Sequence, residues 1–376
     1  MSEADSLLAL RERIDALDGR IQALIAERAC CAQQVGALKQ AAGATGNFYR
    51  PEREAQVLRR VIEANKGPLS DEAMARLFRE IMSACLALEE PLRIAFLGPE
   101  GTFTQAAALK HFGKSIHSIP LRAIDEVFRE VEAGSADYGV VPVENSTEGV
   151  VNHTLDMFLQ SPLRICGEVQ MRINHHLITR ASDLGAVRRI YSHRQSLAQC
   201  REWLDANMPR VEQIEVSSNG EAARRVGEET DAAAIAGQCA ADIYQMPTLV
   251  RNIEDEPNNT TRFLIVGMQP IQPSGDDKTA LLVASLNRPG ALFKLLEPLA
   301  RHNVSMNRIE SRPSRRGMWD YVFFIDLDGH SQDEPVAGAL AELSEQASLF
   351  RVLGSYPKGV LSVSYTHLTL PTSDLV

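Results

Sequence analysis

The sequence has few cysteines, no long apolar run and no concentration of basic residues, and each absence excludes a class of protein. Its six cysteines are scattered over 376 residues without C-x-x-C spacing, which is typical of reduced thiols in a cytoplasmic protein and indicates no metal site. No apolar stretch approaches the ~18 residues of a membrane span, and the start, "MSEADSLLALRERIDALD", has acids where a secretory signal needs a basic segment. A net charge of −10 without a basic run argues against nucleic-acid binding. We therefore expect a cytoplasmic protein with neither membrane nor nucleic acid as a partner.

Changes in the pattern of apolar and polar residues along the chain predict three domains and a C-terminal tail. Residues 1–91 are expected to be helical, residues 92–270 alternate short apolar strands with helices, and residues 279–357 alternate again after the polar linker "QPIQPSGDDK". A chain of this length has room for two to three domains, each with its own core. The last segment, 361–376, fits none of these patterns and is left unassigned, whether native or not.

The first helical segment carries a charge where its apolar pattern requires a leucine. Apolar residues recur at alternating spacings of three and four, which predicts a heptad seam on one long helix, and Arg28 occupies the missing position. A seam arginine can set the register or snorkel to solvent, or it can bind a ligand. Lys39 favours the ligand, because eleven residues place it about 20° away around the helix, on the same face. Arg11 lies about 25 Å from Arg28 along a helix, so one chain cannot bring both to one small ligand.

Two shorter helices complete the bundle, one beginning at Pro51 and one capped by Ser70. Arg53, Glu54 and Glu89 are the polar residues best placed to face the same pocket as the two cations. Several cations with a few acids, without a nucleophile or metal ligands, suggest a small polyanion as the ligand.

The segments "LLALRERIDALDGRIQALIAERA", "VGALK" and "RPEREAQVL" resemble the all-helical chorismate mutases over residues 5–90. Their reaction, the rearrangement of chorismate to prephenate, needs a compact dianion and a hydrogen-bond donor at the ether oxygen. The resemblance implies that Arg28 and the partner's Arg11 hold the carboxylates, with Arg53 supporting. Lys39 would donate to the ether oxygen, and Glu54 would hold the ring hydroxyl.

Two residues depart from that family's pattern. Many relatives have serine where Cys85 stands and glutamine where Glu89 stands. Glutamine donates a hydrogen bond at any pH, whereas a carboxyl group donates only when protonated. The resemblance therefore places both residues in the mutase site and predicts a pH-dependent role for Glu89.

The middle region has three polar clusters at predicted strand ends, where open α/β folds place ligands. Two similar α/β lobes with a late return strand predict a bilobed fold with a cleft. A helix is expected over 146–160, with Ser146 as its cap. The glycines of "GPEGTF" do not match the dinucleotide fingerprint, and the histidines at 175, 176 and 193 are better explained as structural than as metal ligands. The clusters are Glu144–Asn145–Ser146, Ser192–His193 with Gln199, and Asn258 to Arg262.

The cluster "NNTTRFLIVG" at 258–267 begins a strand with many hydrogen-bond donors, which is explained either by local turn chemistry or by a site. Together with "GPEGTFTQAA", "VPVENSTEG" and "SHRQSLAQC", the "TRF" motif at 261–263 resembles prephenate dehydratase over residues 92–270. That enzyme removes the ring hydroxyl and carboxylate of prephenate to give phenylpyruvate, water and CO2, without a cofactor. The resemblance makes Thr261 the essential residue, with Arg262 and Phe263 beside it. It places Glu144, Asn145, Ser146, Ser192 and Gln199 along the cleft, and Glu144 is our candidate proton source.

The last region has the element order βαββαβ, which predicts a ferredoxin-like fold. Its loop "NRPGAL" leads into a helix N-terminus, where free N–H groups can take a carboxylate; a pure dimerisation module is the alternative. "NRPGALF" and "ESRP" resemble the ACT domain fused to prephenate dehydratases, whose effector is L-phenylalanine. The contacts implied are Gly290, Ala291, Leu292, Glu310, Ser311, Arg312 and Pro313.

The predicted fold class is therefore multidomain. It combines an all-α helical chorismate mutase domain, a bilobed α/β periplasmic-binding-like dehydratase domain and a ferredoxin-like α+β ACT domain. The expected function is conversion of chorismate to prephenate and then to phenylpyruvate in L-phenylalanine biosynthesis, with feedback by L-phenylalanine, in a homodimer or higher even oligomer. No cofactor or metal is expected. Two rivals are a bilobed solute sensor coupled to an ACT domain, and a mutase fused to a dehydrogenase.

Overall fold

The computed structural model describes residues 3–41, 49–285, 288–313 and 321–360. The unassigned tail and Asn287, the first residue of the predicted effector loop, lie outside them. Among the described residues, no helix has an apolar stretch long enough to cross a membrane. Three helices come first, followed by two sheets that form the middle region and a third sheet that ends the chain.

The N-terminal helices are α1 (Glu3–Ala41), α2 (Pro51–Ala64) and α3 (Asp71–Ala87). Helix α2 begins at a proline, whose missing N–H costs nothing in the first turn, and Ser70 accepts a hydrogen bond from the Ala73 amide to cap α3. The last third of α1 packs on α3. Its Gly36 lies against the side chain of Glu89, since a Cβ at that position would lie 2.6 Å from Cδ of Glu89. Residues 6–27 are exposed, so most of the predicted heptad seam has no cover in a single chain.

The middle region folds into two lobes joined by two crossing segments, 173–175 and 251–259. The Ile173 amide donates to the Asn259 carbonyl and the Ile253 amide to the His175 carbonyl, so the two crossings lie side by side. The elements, in chain order, are β1 (Arg93–Leu97), α4 (Phe103–Phe112), β2 (His117–Leu121), α5 (Ile124–Glu132), β3 (Tyr138–Asn145), β4 (Gly149–Val150), α6 (Asn152–Phe158), β5 (Arg164–Arg172), β6 (His176–Thr179), β7 (Arg189–His193), α7 (Arg194–Gln199), α8 (Arg201–Asn207), β8 (Glu212–Val216), α9 (Asn219–Val226), β9 (Ala232–Ala236), α10 (Gln238–Ile243), β10 (Thr248–Val250) and β11 (Thr260–Gly267).

The first lobe contains the sheet β2-β1-β3-β11-β5, with β4 beside β3, and the second contains β10-β6-β9-β7-β8. The late strand β11 returns to the first lobe and pairs antiparallel with both β3 and β5. Central strands are buried on both faces, and for this reason β9 is an unbroken run of apolar residues. The bilobed α/β prediction is confirmed.

The predicted helix from Ser146 is wrong in its first turns. The chain instead forms a turn and the short strand β4, and α6 begins only at Asn152. The side chain of Asn145 explains the difference, because its Oδ1 accepts the amides of Thr147 and Glu148 and fixes a turn there. Gly149 then takes a left-handed φ of 81°, which a helix cannot contain.

The C-terminal region has the predicted βαββαβ order and forms the antiparallel sheet β13-β14-β12-β15. Alternation along β12 divides its side chains: Leu281 and Val283 pack on the two helices, whereas Ala280 and Leu282 pack on the first lobe beside Val141. This C-terminal sheet, called the regulatory sheet after its resemblance to ACT domains, therefore covers the back of the sheet that carries β3 and β11. The elements are β12 (Asp277–Ala284), α11 (Ala291–Arg301), β13 (Met306–Pro313), β14 (Tyr321–Asp328), α12 (Glu334–Gln346) and β15 (Leu349–Pro357).

Candidate active sites

A cleft of about 360 Å³ lies between the two lobes of the middle region. It opens at the carboxyl ends of β1 and β3 in one lobe and of β7 in the other, which is where open α/β sheets place ligands. Asn145, Thr261 and Phe263 line it from the first lobe and Gln199 lines it from the second. The structure thus brings together residues from all three predicted clusters.

Asn145 and Thr261 are opposite each other on β3 and β11 and form the floor of the cleft. The Asn145 Nδ2 donates to Thr261 Oγ1 at 2.7 Å and to Asn259 Oδ1 at 2.7 Å. Since Asn145 Oδ1 is also occupied by two backbone amides, the orientation of its amide is fixed. Thr261 Oγ1 is an acceptor in this pair, and no described residue accepts its proton. The threonine is buried, so its O–H is an oriented donor for a ligand.

The second lobe presents Gln199, which connects both walls of the cleft. Its Oε1 lies 2.9 Å from Nε2 of His175, and its Nε2 donates to the Glu148 carboxylate of the first lobe at 3.4 Å. Burial lowers the pKa of His175, and the hydrogen bond to Gln199 opposes this only in part. The lowered pKa favours the neutral imidazole, and the His175 ring lies on the cleft lining in an edge-on arrangement with the ring of Phe103.

Ser192 does not line the cleft. It is fully buried behind the wall, where its hydroxyl donates to the Ile235 carbonyl and lies 3.1 Å from Asn219 Oδ1. Asn219 does line the cleft and donates to Ser196 Oγ. Ser192 therefore does not contact the cleft as predicted. It contacts Asn219 instead, which lines the cleft.

Arg122 is a cleft residue that the sequence analysis missed, and it is the one arginine among the described lining residues. It follows β2 directly, so the rule that placed sites at the ends of strands could have found it. Ser196 and Asn219 were missed as well. Ser196 lies in the first turn of α7 and Asn219 opens α9, and polar residues at helix starts are more often interpreted as caps.

Glu144, Ser146 and Arg262 lie away from the cleft lining, contrary to prediction. Side chains alternate along a strand, so Glu144 and Arg262 face the regulatory sheet while their neighbours face the cleft. The Glu144 carboxylate accepts from Nε of Arg308 at 2.9 Å, and the Arg262 guanidinium is paired inside the same interface. Ser146 Oγ is bound by the Thr260 amide. The candidate proton source and the guanidinium donor are therefore not in the cleft.

The predicted mutase residues lie on the three N-terminal helices, except Glu89 in the turn after α3, and the structure brings only some of them together. Arg28 and Lys39 are the partly covered cations on the face of α1 that packs on α3. Glu89 contacts that face at Gly36, and Cys85 is buried nearby on α3.

Other mutase residues point elsewhere in the single chain. Arg53 is exposed on α2, and Arg11 is exposed on the uncovered part of α1. Glu54 forms an ion pair of 3.0 Å with Arg79, which also donates to the Lys110 carbonyl of the middle region. Burial raises the pKa of Glu54, while Arg79 lowers it.

In the C-terminal region, Gly290 takes a left-handed φ of 76° and precedes α11, so the loop turns sharply into the helix N-terminus. Ala291 and Leu292 open the first turn of that helix. Glu310, Ser311 and Pro313 lie on the edge strand β13 with Arg312, whose guanidinium is paired with Asp156 at 2.7 Å.

Family models match each part of the chain. Chorismate mutase type II matches residues 10–90, prephenate dehydratase matches 94–271, and the ACT domain matches 279–345. The fold and cleft thus define a mutase–dehydratase fusion with a regulatory domain.

Curated relatives extend the match to the whole chain. The bifunctional chorismate mutase/prephenate dehydratase of Stutzerimonas stutzeri is 59% identical over 96% of this chain and all of its own. That of Pseudomonas aeruginosa is 56% identical over the same shares. The chain belongs to the family of bifunctional chorismate mutase/prephenate dehydratases. A solved prephenate dehydratase from Arthrobacter aurescens, in complex with L-Phe, is 36% identical, with a TM-score of 0.65 over 70% of this chain and 89% of its own.

The enzyme converts chorismate to prephenate and prephenate to phenylpyruvate, as the sequence predicted. The alternatives of a solute sensor and of a dehydrogenase fusion are wrong, because both catalytic domains of the family are matched along their length.

Proposed function

We propose that prephenate binds in the cleft between the lobes, with Asn145 and Thr261 holding the part of the ring that reacts. In the reaction, the bond to the ring carboxyl carbon breaks and its electron pair enters the ring. The C–O bond breaks at the same time, and the departing oxygen takes a proton to leave as water. An oriented donor at that oxygen stabilises the charge that develops there. The observation that carries the proposal is the 2.7 Å contact between Asn145 and Thr261 in the cleft, since it leaves the threonine proton for the ligand.

Arg122 is proposed to bind one carboxylate of prephenate. The substrate is a dianion, and a guanidinium is the side chain best suited to a planar carboxylate. Gln199 and Asn219 supply neutral hydrogen bonds from the second lobe, so closing the cleft would place the substrate between both walls.

The test uses the full chain and prephenate. Thr261→Val is used to stop turnover, and calorimetry then measures prephenate binding to this variant alone and combined with Arg122→Gln. We expect Arg122→Gln to weaken binding by about tenfold or more, as loss of a charge-assisted bond does. Asn145→Ala should lower turnover in the otherwise unchanged enzyme. Normal turnover in Asn145→Ala together with unchanged affinity in Arg122→Gln would place the dehydratase site elsewhere.

The mutase site is proposed to form between two chains. Arg28, Lys39, Glu89 and Cys85 would come from one chain and Arg11 from its partner, with Arg53 and Glu54 supporting. The proposal is supported by the exposed apolar seam of α1, where Leu10, Ile14 and Leu24 are 54, 55 and 62% exposed. Such a stripe on one helix is unstable in water without cover, and a second copy of α1 has the matching heptad pattern. We therefore propose a homodimer or higher even oligomer.

L-phenylalanine is proposed as the effector, bound by the Gly290–Leu292 turn and strand β13. The Arthrobacter aurescens relative was solved with L-Phe, and the left-handed Gly290 leads into the N-terminus of α11, a kind of site that suits a carboxylate. Calorimetric titration with L-phenylalanine is expected to show binding that is lost in Gly290→Val. A wild-type enzyme that does not bind the amino acid would contradict the assignment.

We also propose that the enzyme acts in the cytoplasm. The proposed domain limits are 1–91, 92–270 and 279–357. The matched ranges and the three sheets support these limits. Limited proteolysis is expected to cleave first within residues 271–278 or after residue 357.

A further inference from the structure

The strand pair β3–β11 carries the proposed dehydratase residues on one face and two ionised residues on the other. In its register Thr261 is opposite Asn145, and Arg262 is opposite Glu144. Each cleft residue is thus covalently next to a charged residue that faces the regulatory sheet. A shift of one neighbour moves the other, because the two share a peptide bond.

The pairing between these strands is irregular at this point. The register of β11 against β3 shifts between Arg262 and Phe263, so the ladder is interrupted just beyond the Arg262–Glu144 pair, one pair away from Thr261 and Asn145. A bulge bends the strand and leaves its local orientation less constrained by the ladder. On its other side, β11 stays in register with β5 at Thr261 and Arg262, so what is loosened here is its pairing with the end of β3.

Ion pairs to the regulatory sheet occupy that position. The Glu144 carboxylate meets Arg308 of β13 at 2.9 Å, and the Arg308 side chain is 14% exposed. One of its guanidinium nitrogens, Nη2, is buried without a hydrogen-bond partner among the described residues, so this arginine depends on Glu144 for compensation of its charge. Arg262 is fixed in the same way by Glu168, Asp326 and the Tyr356 hydroxyl.

We propose that Glu144 is a positioning residue of the dehydratase, which acts through Arg308 of the regulatory domain to fix Asn145 against Thr261. This inference rests on the proposed function of Asn145 and Thr261 in prephenate binding. It assigns Glu144 a role different from proton donation, since its carboxylate is on the face of the sheet away from the cleft. It also gives the regulatory sheet a direct contact with the catalytic strand, two residues from Glu310 on the same β13.

A double-mutant cycle tests the pair. Glu144→Gln and Arg308→Gln are each expected to lower dehydratase kcat by about tenfold, with KM within about threefold, because the substrate contacts remain while their alignment is lost. The double variant should be no slower than either single variant, since both remove the same interaction. Arg308→Lys should recover part of the loss.

Two controls separate this role from others. Arg351→Gln removes a different arginine of the regulatory sheet, one that donates to the Phe158 and Ser161 carbonyls of the first lobe, and it should leave kcat near wild type. Mutase activity in the same chains verifies that each variant folds. The pH profile of kcat should keep its shape in Glu144→Gln, whereas loss of a proton donor would remove one limb.

The inference is wrong if Arg308→Gln is as fast as wild type while Glu144→Gln is slow, or if the losses multiply in the double variant. Failure of the underlying site is distinguished by Asn145→Ala. If that variant turns over normally, the cleft assignment fails, whatever the cycle gives.

Discussion

Thr261 and Arg262 are consecutive residues of β11 that face opposite sides of one sheet. The threonine hydroxyl lies 2.7 Å from Asn145 in the cleft, while the arginine guanidinium reaches Glu168 at 2.8 Å and Asp326 at 2.6 Å behind it. Two residues of the "TRF" motif therefore make different contacts. Thr261 meets the cleft between the lobes, and Arg262 joins the first lobe to the regulatory domain.

Thr261→Val keeps the shape of the threonine and removes its hydroxyl. We expect dehydratase kcat to fall by about 100-fold or more, because an oriented donor at a developing charge is commonly worth that much. Mutase activity should stay near wild type. Phenylpyruvate formation from prephenate and prephenate formation from chorismate measure the two activities.

Thr261→Ser is the matched control, since it retains the hydroxyl, and it should recover much of the rate. Wild-type dehydratase rates in Thr261→Val would reduce the motif to turn chemistry at the start of a strand.

Arg262→Gln leaves two buried acids without their cation. The Glu168 and Asp326 side chains are only 3 and 10% exposed, and breaking a buried pair from one side costs roughly 3–5 kcal/mol. Lys278, which also meets Glu168 at 2.7 Å, reduces the loss at that carboxylate. We expect a clear drop in the urea midpoint of unfolding, with the first lobe and the regulatory sheet affected together.

Arg129→Gln is the comparison, because it breaks an exposed pair with Asp125 on the surface of α5. Exposed pairs contribute little to stability, so its midpoint should be unchanged. Equal effects of the two substitutions would show that the buried cluster contributes no more than a surface pair.

The sequence predicted the domain order and the strand ends well, because both follow from local patterns. Apolar runs, caps and turn residues report strands and helices directly. The face of each side chain was harder to predict. Glu144 and Arg262 stand beside cleft residues in the sequence, but alternation excludes them from the cleft. Glu144 pairs with Arg308 of the third sheet, and Arg262 pairs both with Asp326 of that sheet and with Glu168 of β5.

The same limit applies to Asn145. The sequence analysis placed Asn145 along the cleft, but it did not predict how this side chain shapes the backbone that follows. By capturing the amides of Thr147 and Glu148, it converts an expected helix start into a turn. A polar residue that binds a ligand and one that stabilises a turn use the same donor and acceptor groups. Residue type alone therefore does not show which of the two roles a residue has.

His111 is predicted to make the fold acid-sensitive. It lies at the contact of the mutase and dehydratase regions, with Nε2 at 3.3 Å from the Tyr49 hydroxyl. Burial, followed by nearby Arg79, lowers the pKa of His111 to about 3. Between pH 6.5 and 3 the unfolded chain therefore binds a proton that the folded chain does not, and stability falls as pH drops through this range.

From pH 6.5 to 5 the loss should be at most about 2 kcal/mol. His111→Gln cannot take up the proton, so the difference in unfolding free energy between pH 7 and pH 5 should be smaller in the variant than in wild type. Urea titrations at both pH values measure it. The same pH dependence in both proteins would mean that His111 is not the sensitive group.

Glu89 gives the mutase a separate pH test. It lies against Gly36 of α1, and its Oε2 is buried with no hydrogen-bond partner among the described residues. If it donates to the ether oxygen, mutase activity must fall as pH rises and the carboxyl group loses its proton. Glu89→Gln should flatten this profile. Flat profiles in both enzymes would exclude Glu89 as the donor, and the dehydratase profile of the same chains serves as the control.

The geometry of α1 makes the strongest prediction about assembly. The helix runs unbroken from Glu3 to Ala41, so Arg11 and Arg28 are about 25 Å apart, well beyond the reach of one small ligand. An antiparallel pair of these helices removes the conflict, because the N-terminal turns of one chain then lie beside the middle of the other. The exposed seam becomes the contact between chains.

Arg11→Ala and Arg28→Ala should each be nearly inactive as mutases, and mixing them should restore activity. In a mixed dimer, one site contains the intact Arg28 of the first chain and the intact Arg11 of the second, while the other site carries both lesions. With random exchange, half of the dimers are mixed and each has one working site, so refolding equal amounts together should recover about a quarter of wild-type activity. Native mass spectrometry counts the mixed dimers, and the dehydratase rate reports folding. Mixed dimers that form in the expected amount but stay as inactive as their parents would show that each mutase site is built from a single chain.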